Sequence, residues 1–240
     1  MLNYWQLKHE LFGTEKAYKK LLLSDLDDRD LATPRNRGLW VSPHRDRAGR
    51  AIIFTRRPKW SYEHRNNVLR WVWYFADELA ASDPATQLKG VLVVGFDDGP
   101  FNLWQYDRKL ESKLIKMGLG CIPVRWIALH LFYDSKVHEM LMPFLRFMLG
   151  KKLRARFITY PGSKRHTRLD RLEQVGMPKE ILPTAMGGDD TFDVALWIED
   201  QLEREKEDQQ ENIGAPFSTR SKNTLQAATV EQRGRSSMLV

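Results

Sequence analysis

The chain has 240 residues, 42% of them apolar, which suffices for one large domain or two small ones around a real core. Its single cysteine, Cys121, excludes an internal disulfide and any multi-cysteine zinc site, and this favours a reducing compartment. The formal charge of +7 suits an anionic partner, either nucleic acid or an acidic membrane surface.

Basic and acidic side chains cancel beyond Leu202, so the positive excess sits on the part before it. The start, Met1-Leu2-Asn3-Tyr4-Trp5, lacks the basic and apolar regions of a signal peptide. No stretch approaches the roughly 20 apolar residues that span a bilayer. The expectation is a cytoplasmic protein whose membrane contact is peripheral.

Residues 2–23 carry partial apolar stripes on either side of Gly13 and are read as helix. With the polar, loop-like residues 25–37 they make a short helical lead-in, residues 1–38. Arg45-Asp46-Arg47-Ala48-Gly49-Arg50 is a turn signature leading into the strand Ala51-Ile52-Ile53-Phe54. Residues 66–81 show a helical pattern with apolar residues over much of its surface, as in a helix buried between layers. Val91-Leu92-Val93-Val94 is a continuous, mostly β-branched run of the kind found in central strands, and Asp97-Asp98-Gly99-Pro100 closes it. A helix from about 101 to 117 follows, ended by Gly118 and Gly120.

The apolar run Ile122 to Leu131, opened by Pro123, reads as a strand with Cys121 as a small apolar residue at its start. Ser135 to Leu149 is rich in Met, Phe and Leu at helical spacing. A basic segment and another strand, Phe157-Ile158, come next. Asp189-Asp190 are expected to cap a last helix, Thr191 to about Asp208, and residues 209–240 read as a disordered polar tail. Strand and helix alternate from Ala51 onward, which predicts an α/β fold with helices packed on a mixed β-sheet.

Enzyme signatures are missing. The chain has no Gly-x-Ser-x-Gly elbow, no Walker A loop and no Gly-x-Gly-x-x-Gly. Gly188-Asp189-Asp190, a triplet that some polymerases use for metal, reads here as a turn followed by a helix cap. Asp97-Asp98 lacks an evident third ligand. His130 lies inside an apolar run and reads as a buried structural histidine, and His130, His138 and Cys121 show no diagnostic spacing. No catalytic residue, metal or cofactor is expected.

The segment Met140 to Met148 reads as a core helix when taken alone. Its three methionines, Met140, Met142 and Met148, also suit a surface that repacks around a flexible apolar partner. Lys151, Lys152, Arg154 and Arg156 follow directly and are placed to hold anionic lipid headgroups. Few aromatics are interleaved with them, which argues against nucleic acid as the partner.

From about Asp46 to Asp208 the sequence resembles the CRAL-TRIO (lipid-binding) domain family. Five short motifs occur in the family's order. Asp46-Arg47-Ala48-Gly49-Arg50 matches its opening Asp-x-x-Gly-Arg, and Val91 to Gly99 matches its second strand, which ends in Asp and Gly. Ile122-Pro123-Val124-Arg125 is an altered Tyr-Pro-Glu-Arg, and Pro143-Phe144-Leu145 matches the Pro-Phe-Leu of a lid helix. Leu182-Pro183-Thr184-Ala185-Met186-Gly187-Gly188 preserves Leu-Pro-x-x-x-Gly-Gly intact.

The resemblance implies a lipid-binding domain over residues 39–208, in which a mixed sheet floors an apolar cavity closed by a mobile lid helix. Carried over by motif, Ile127, Leu129 and Leu131 line the floor strand, and Leu141, Phe144 and Leu145 belong to the lid. The implied partner is a lipid or other hydrophobic small molecule, transferred or presented between membranes by a monomer that docks transiently on anionic surfaces. Val124 stands where phosphatidylinositol-transferring members carry a glutamate, which leaves an isoprenoid-like ligand or another phospholipid open. The rival expectation is an interaction or regulatory module with a collapsed cavity, which inward-pointing Trp104 and Trp126 would favour.

Overall fold

A computed structural model describes residues 2–61, 65–97, 107–162 and 165–214. The fold is α/β. Its five strands form one sheet in the order β1-β2-β3-β4-β5. Strands β1 (Leu39–Arg45) and β2 (Ala51–Thr55) pair antiparallel. Strands β3 (Val91–Asp97), β4 (Trp126–Tyr133) and β5 (Phe157–Pro161) continue from β2 in parallel.

The helices are α1 (Leu2–Ala17), α2 (Asp28–Arg35), α3 (Arg65–Ser82), α4 (Pro84–Lys89) and α5 (Arg108–Lys116), then α6 (Lys136–Met148), α7 (Gly150–Arg154), α8 (Arg165–Gln174) and α9 (Val194–Gly214). The chain divides into two units, Met1–Ile198 and Glu199–Val240, and the described part of the second is the continuation of α9 to Gly214.

The parallel strands are apolar on both faces because helices cover both faces. Ile52, Phe54, Val94, Phe96 and Phe132 are fully buried. On one side α8 brings the Arg168 guanidinium over the Phe132 ring. On the other lie α3, α5 and α6. Trp71 and Trp73 of α3 are fully buried, and Trp71 Nε1 donates to the Leu39 carbonyl, 2.8 Å away, which ties α3 to the edge strand.

Two sequence motifs have a clear mechanical role. The Asp46 side chain is buried and accepts from the backbone N–H of Ala48 (3.1 Å) and Arg50 (2.7 Å) and from Arg50 Nε (2.5 Å). Arg50 Nη2 in turn donates to the Val175 carbonyl, so the β1–β2 turn is bound to the end of α8. At Gly188 a Cβ would sit 2.0 Å from the Leu182 carbonyl oxygen. Only glycine lets the chain fold back there, and Asp190 N–H then donates to that same carbonyl at 2.9 Å.

Several predicted elements differ. Residues 28–35 are helical, not loop, because Asp27 and Asp30 form a reciprocal capping box at the start of α2. Strand β1 carries Pro43 and polar residues and gave no strand signal, yet an edge position with a register shift between Val41 and Arg45 tolerates both. Helix α1 ends at Ala17, and Gly13, with φ +76° and ψ 175°, interrupts it. Helix α5 starts after Asp107, whose side chain accepts from Lys109 and Leu110 N–H; residues 98–106, which include most of the predicted turn and the start of the predicted helix, lie outside the described residues.

Cys121 closes a π-helical turn, Met117–Cys121, after α5 instead of opening a strand. Asp193, not Asp189 or Asp190, caps α9 through the Ala195 N–H. Helix α9 runs to Gly214, past the expected boundary at 208, and residues 215–240 of the predicted tail lie outside the described residues.

Candidate functional site: an apolar cavity with one polar end

The pairing register builds a wall. Ile53 pairs with Val93, Val93 with Leu129 and Leu129 with Phe157, which makes one row of apolar side chains across four strands. Side chains two residues on share the face, so Thr55, Gly95 and Leu131 form the next row. A Cβ at Gly95 would lie 2.6 Å from Leu131 Cδ1, so the glycine makes room for the leucine.

Above these rows lies a cavity of about 250 Å³. Val72 and Phe75 of α3, Leu114 and Ile115 of α5, and Met117 of the π-helical turn close its sides. Helix α6 roofs it with Leu141, Met142 and Leu145. Ser135 starts that helix by accepting the Val137 N–H at 3.2 Å. Its inner face joins Tyr133, Leu149 and Phe157 in a packed apolar cluster.

Of the residues expected to line the site, Leu129, Leu131, Leu141 and Leu145 are in the wall. Ile127 and Phe144 are not among the lining residues. The reason for Ile127 is a register irregularity: Val91 pairs with Trp126 but Leu92 pairs with Ala128, so Ile127 falls in the bulge. Its side chain lies over Gly90, and Trp126 and Ala128 reach the cavity.

Phe144 belongs to the outer face of α6. It is exposed, with the Arg108 guanidinium 5.7 Å from its ring centre. Met140 and Phe147, 65% and 77% exposed, continue that outer stripe, and Ile158 of β5 is exposed as well. Helix α6 is therefore apolar on two sides.

Lys151, Arg154 and Arg156 are exposed, while the Lys152 side chain lies outside the described residues. Arg154 Nε donates to the Arg146 carbonyl at 3.0 Å. Arg156 lines the cavity near Leu153 and Phe157, and its Nη1 donates to the Trp126 carbonyl.

One end of the cavity is polar, a feature the sequence reading missed. Arg57, just past β2, makes a two-pronged salt bridge to Glu111 of α5; its Nη2 donates to Oε2 at 2.8 Å and its Nη1 to Oε1. The Arg57 guanidinium also lies 4.2 Å from the Trp60 ring centre. Asp97, at the end of β3, accepts the Arg57 backbone N–H at Oδ1 (3.1 Å), and His138 Nε2 lies 2.8 Å from its Oδ2. Asp97, Glu111 and His138 are buried, and all four residues line the cavity. The available signal was Glu111, a charge at helical spacing with the apolar Leu114 and Ile115.

The other titratable candidates are structural. His130 points to the opposite face, 2% exposed, with Nδ1 3.0 Å from the Tyr160 hydroxyl. Burial, with a smaller contribution from the Arg50 charge, lowers its pKa to about 4, so the ring is neutral at pH 7. Burial pushes the Cys121 thiol up, away from the reactive thiolate. Asp189 pairs with Lys179 at 2.8 Å and Asp190 accepts the Phe192 N–H, which accounts for both acids of the Gly-Asp-Asp triplet. Among the described residues no group of three or more His, Cys, Asp or Glu side chains gathers to hold a metal ion.

Solved structures match this fold. The crystal structure of Sfh5 aligns with a TM-score of 0.50 over 81% of this chain and 72% of that one, at 12% sequence identity. The fold is shared with Sfh5. At that identity the likeness gives the fold alone. No protein-family model matches the sequence, and no curated protein matches it.

Proposed function

We propose that this protein binds a hydrophobic, lipid-like ligand in the cavity between the sheet and α6, and transfers or presents it at membranes. The observation that carries the reading is the cavity wall. Apolar side chains from β2, β3, β4 and β5 meet apolar side chains of α3, α5 and α6 around open space, in a fold shared with Sfh5. Burial of a ligand's methylene groups there is favourable by roughly 0.8 kcal/mol per CH₂.

The charged groups at the polar end of the cavity are paired, Arg57 with Glu111 and His138 with Asp97. Two features of α6 support docking on an anionic membrane: the exposed Met140, Phe144 and Phe147 stripe, and the neighbouring cations Arg146, Lys151, Arg154 and Arg156. Among the described residues no helix is long and apolar enough to cross a membrane, so contact through this face would be peripheral.

The test is Leu129→Glu, which places an unpaired carboxylate in the middle of the wall. Titrated with an uncharged solvatochromic dye, the wild type is expected to show saturable blue-shifted emission and the soluble variant none. Equal dye binding by both proteins would remove the cavity from the account.

A second reading, an interaction module with a filled cavity, is favoured by one observation. At about 250 Å³, with Trp126 in its wall, the space lies just below the usual range for ligand sites, about 300–1,000 Å³. Trp104, the other residue that would favour this reading, lies outside the described residues. Absence of saturable dye binding by the wild type would support this module.

A further inference from the structure

We propose that the ligand is a compact, single-chain or small-ring amphiphile whose head is uncharged and carries a hydrogen-bond donor, a hydroxyl or an amide, seated against Asp97 and Glu111. This rests on the cavity being a ligand site and goes further by naming the ligand's chemistry.

The position of the polar end comes first. Asp97 closes β3 opposite Tyr133, and Phe157 opens β5 opposite Leu129. Four residues of β4 separate the two levels, about 13 Å at strand rise. Asp97, Glu111, Arg57 and His138 therefore gather at the carboxyl ends of the parallel strands, and Arg156 stands at the other end beside Trp126. Between the two ends the wall is apolar, so a ligand lying along it meets hydrocarbon in the middle and polar groups at its tip.

The chemistry of the tip follows from the acceptors. A carboxylate has roughly four acceptor sites. The Arg57 fork occupies two on Glu111, while the Arg57 backbone N–H and His138 occupy two on Asp97. Further acceptor capacity remains on both acids, which line the cavity and are themselves only 2% (Asp97) and 6% (Glu111) exposed. A hydrocarbon tip leaves that capacity unused, and a ligand carboxylate or phosphate meets two like charges. An O–H or N–H donor satisfies it.

Charge matching points the same way. The guanidinium that could attract an anion is already held by both oxygens of Glu111. Size sets the remaining limit. A cavity of about 250 Å³ exceeds the roughly 150 Å³ that accommodates benzene and lies just below the usual range for drug-sized ligands, about 300–1,000 Å³, which favours a compact ligand.

The experiment is calorimetric titration of the 240-residue chain with three matched probes: 1-octanol, its isomer heptyl methyl ether, which lacks the donor, and octanoate. The expected order is 1-octanol tightest, about tenfold or more over each of the others, the equivalent of one good hydrogen bond. In Glu111→Gln, Arg57 loses its carboxylate partner, and octanoate is expected to gain at least tenfold relative to 1-octanol. The wild-type ranking decides even if that variant does not fold. Equal affinity for alcohol and ether overturns the proposal, because the head then avoids the two acids. Octanoate as the tightest wild-type ligand also overturns it and places the head at Arg156. Binding of none of the three removes the cavity reading and this proposal with it.

Discussion

Asp46 holds three donors with one buried carboxylate, and through Arg50 it reaches the carbonyl of Val175. Asp46→Ala leaves the Ala48 and Arg50 N–H groups and a half-buried guanidinium without that acceptor. The expected cost is about 3 kcal/mol, read from the urea midpoint at unchanged slope. Gly188→Ala is expected to cost at least as much, since its Cβ meets the Leu182 carbonyl.

His130 gives a pH dependence with a defined sign. Its folded pKa, about 4, is below the ordinary value of 6.5, so between these values the unfolded chain takes up a proton that the folded one refuses. Stability is full above pH 6.5 and falls as the pH drops toward 4, by about 3 kcal/mol at most. His130→Phe is expected to flatten that window in urea titrations at stepped pH. An unchanged slope would show that His130 is not the group responsible.

Such residues were legible because their motifs are local: Asp46 and Arg50 are four apart, and the Gly-Gly ending is one short segment. The polar end of the cavity was not. Arg57 and Glu111 come from different elements, as do Asp97 and His138, and only the folded sheet brings them together.

At the scale of elements, apolar runs and periodicity identified the buried helix α3, the central strands β3 and β4, and the helix α6. It failed where tertiary position overrides composition. Strand β1 looks polar because it is an edge, and α2 looks polar because its caps decide its fate. The resemblance carried Ile127, Leu129 and Leu131 over together as one face of the floor strand, and the Trp126–Ala128 bulge, which strand periodicity does not foresee, separates Ile127 from the other two.

Likewise, the outer Phe144 is three residues from the inner Leu141 and one from the inner Leu145, and a helix with two apolar sides cannot be oriented from sequence alone. Its outer side makes a separate prediction. Met140→Ser with Phe147→Ser is expected to lower binding to vesicles containing phosphatidylserine several-fold without changing dye binding in the cavity. Replacing Lys151, Arg154 and Arg156 by Gln is expected to weaken the same binding most at low salt, where charges are least screened. Salt-independent loss would indicate damage to the fold instead of lost attraction.

For the whole molecule, the α/β class followed from the alternation of strand and helix, and the likeness to Sfh5 gives the same fold at 12% identity. Cavity and ligand are a different matter, because open space is a property of packing and leaves no periodic trace. The order of five short motifs carried that expectation, and the register of β2 to β5 supplies a physical basis for it.

The most direct measurement is native mass spectrometry of the purified protein, before and after incubation with mixed lipid vesicles, with extraction and identification of any bound molecule. The account predicts one hydrophobic molecule per chain in the wild type and none in Leu129→Glu. A bare protein mass under both conditions, with the fold intact, would contradict it.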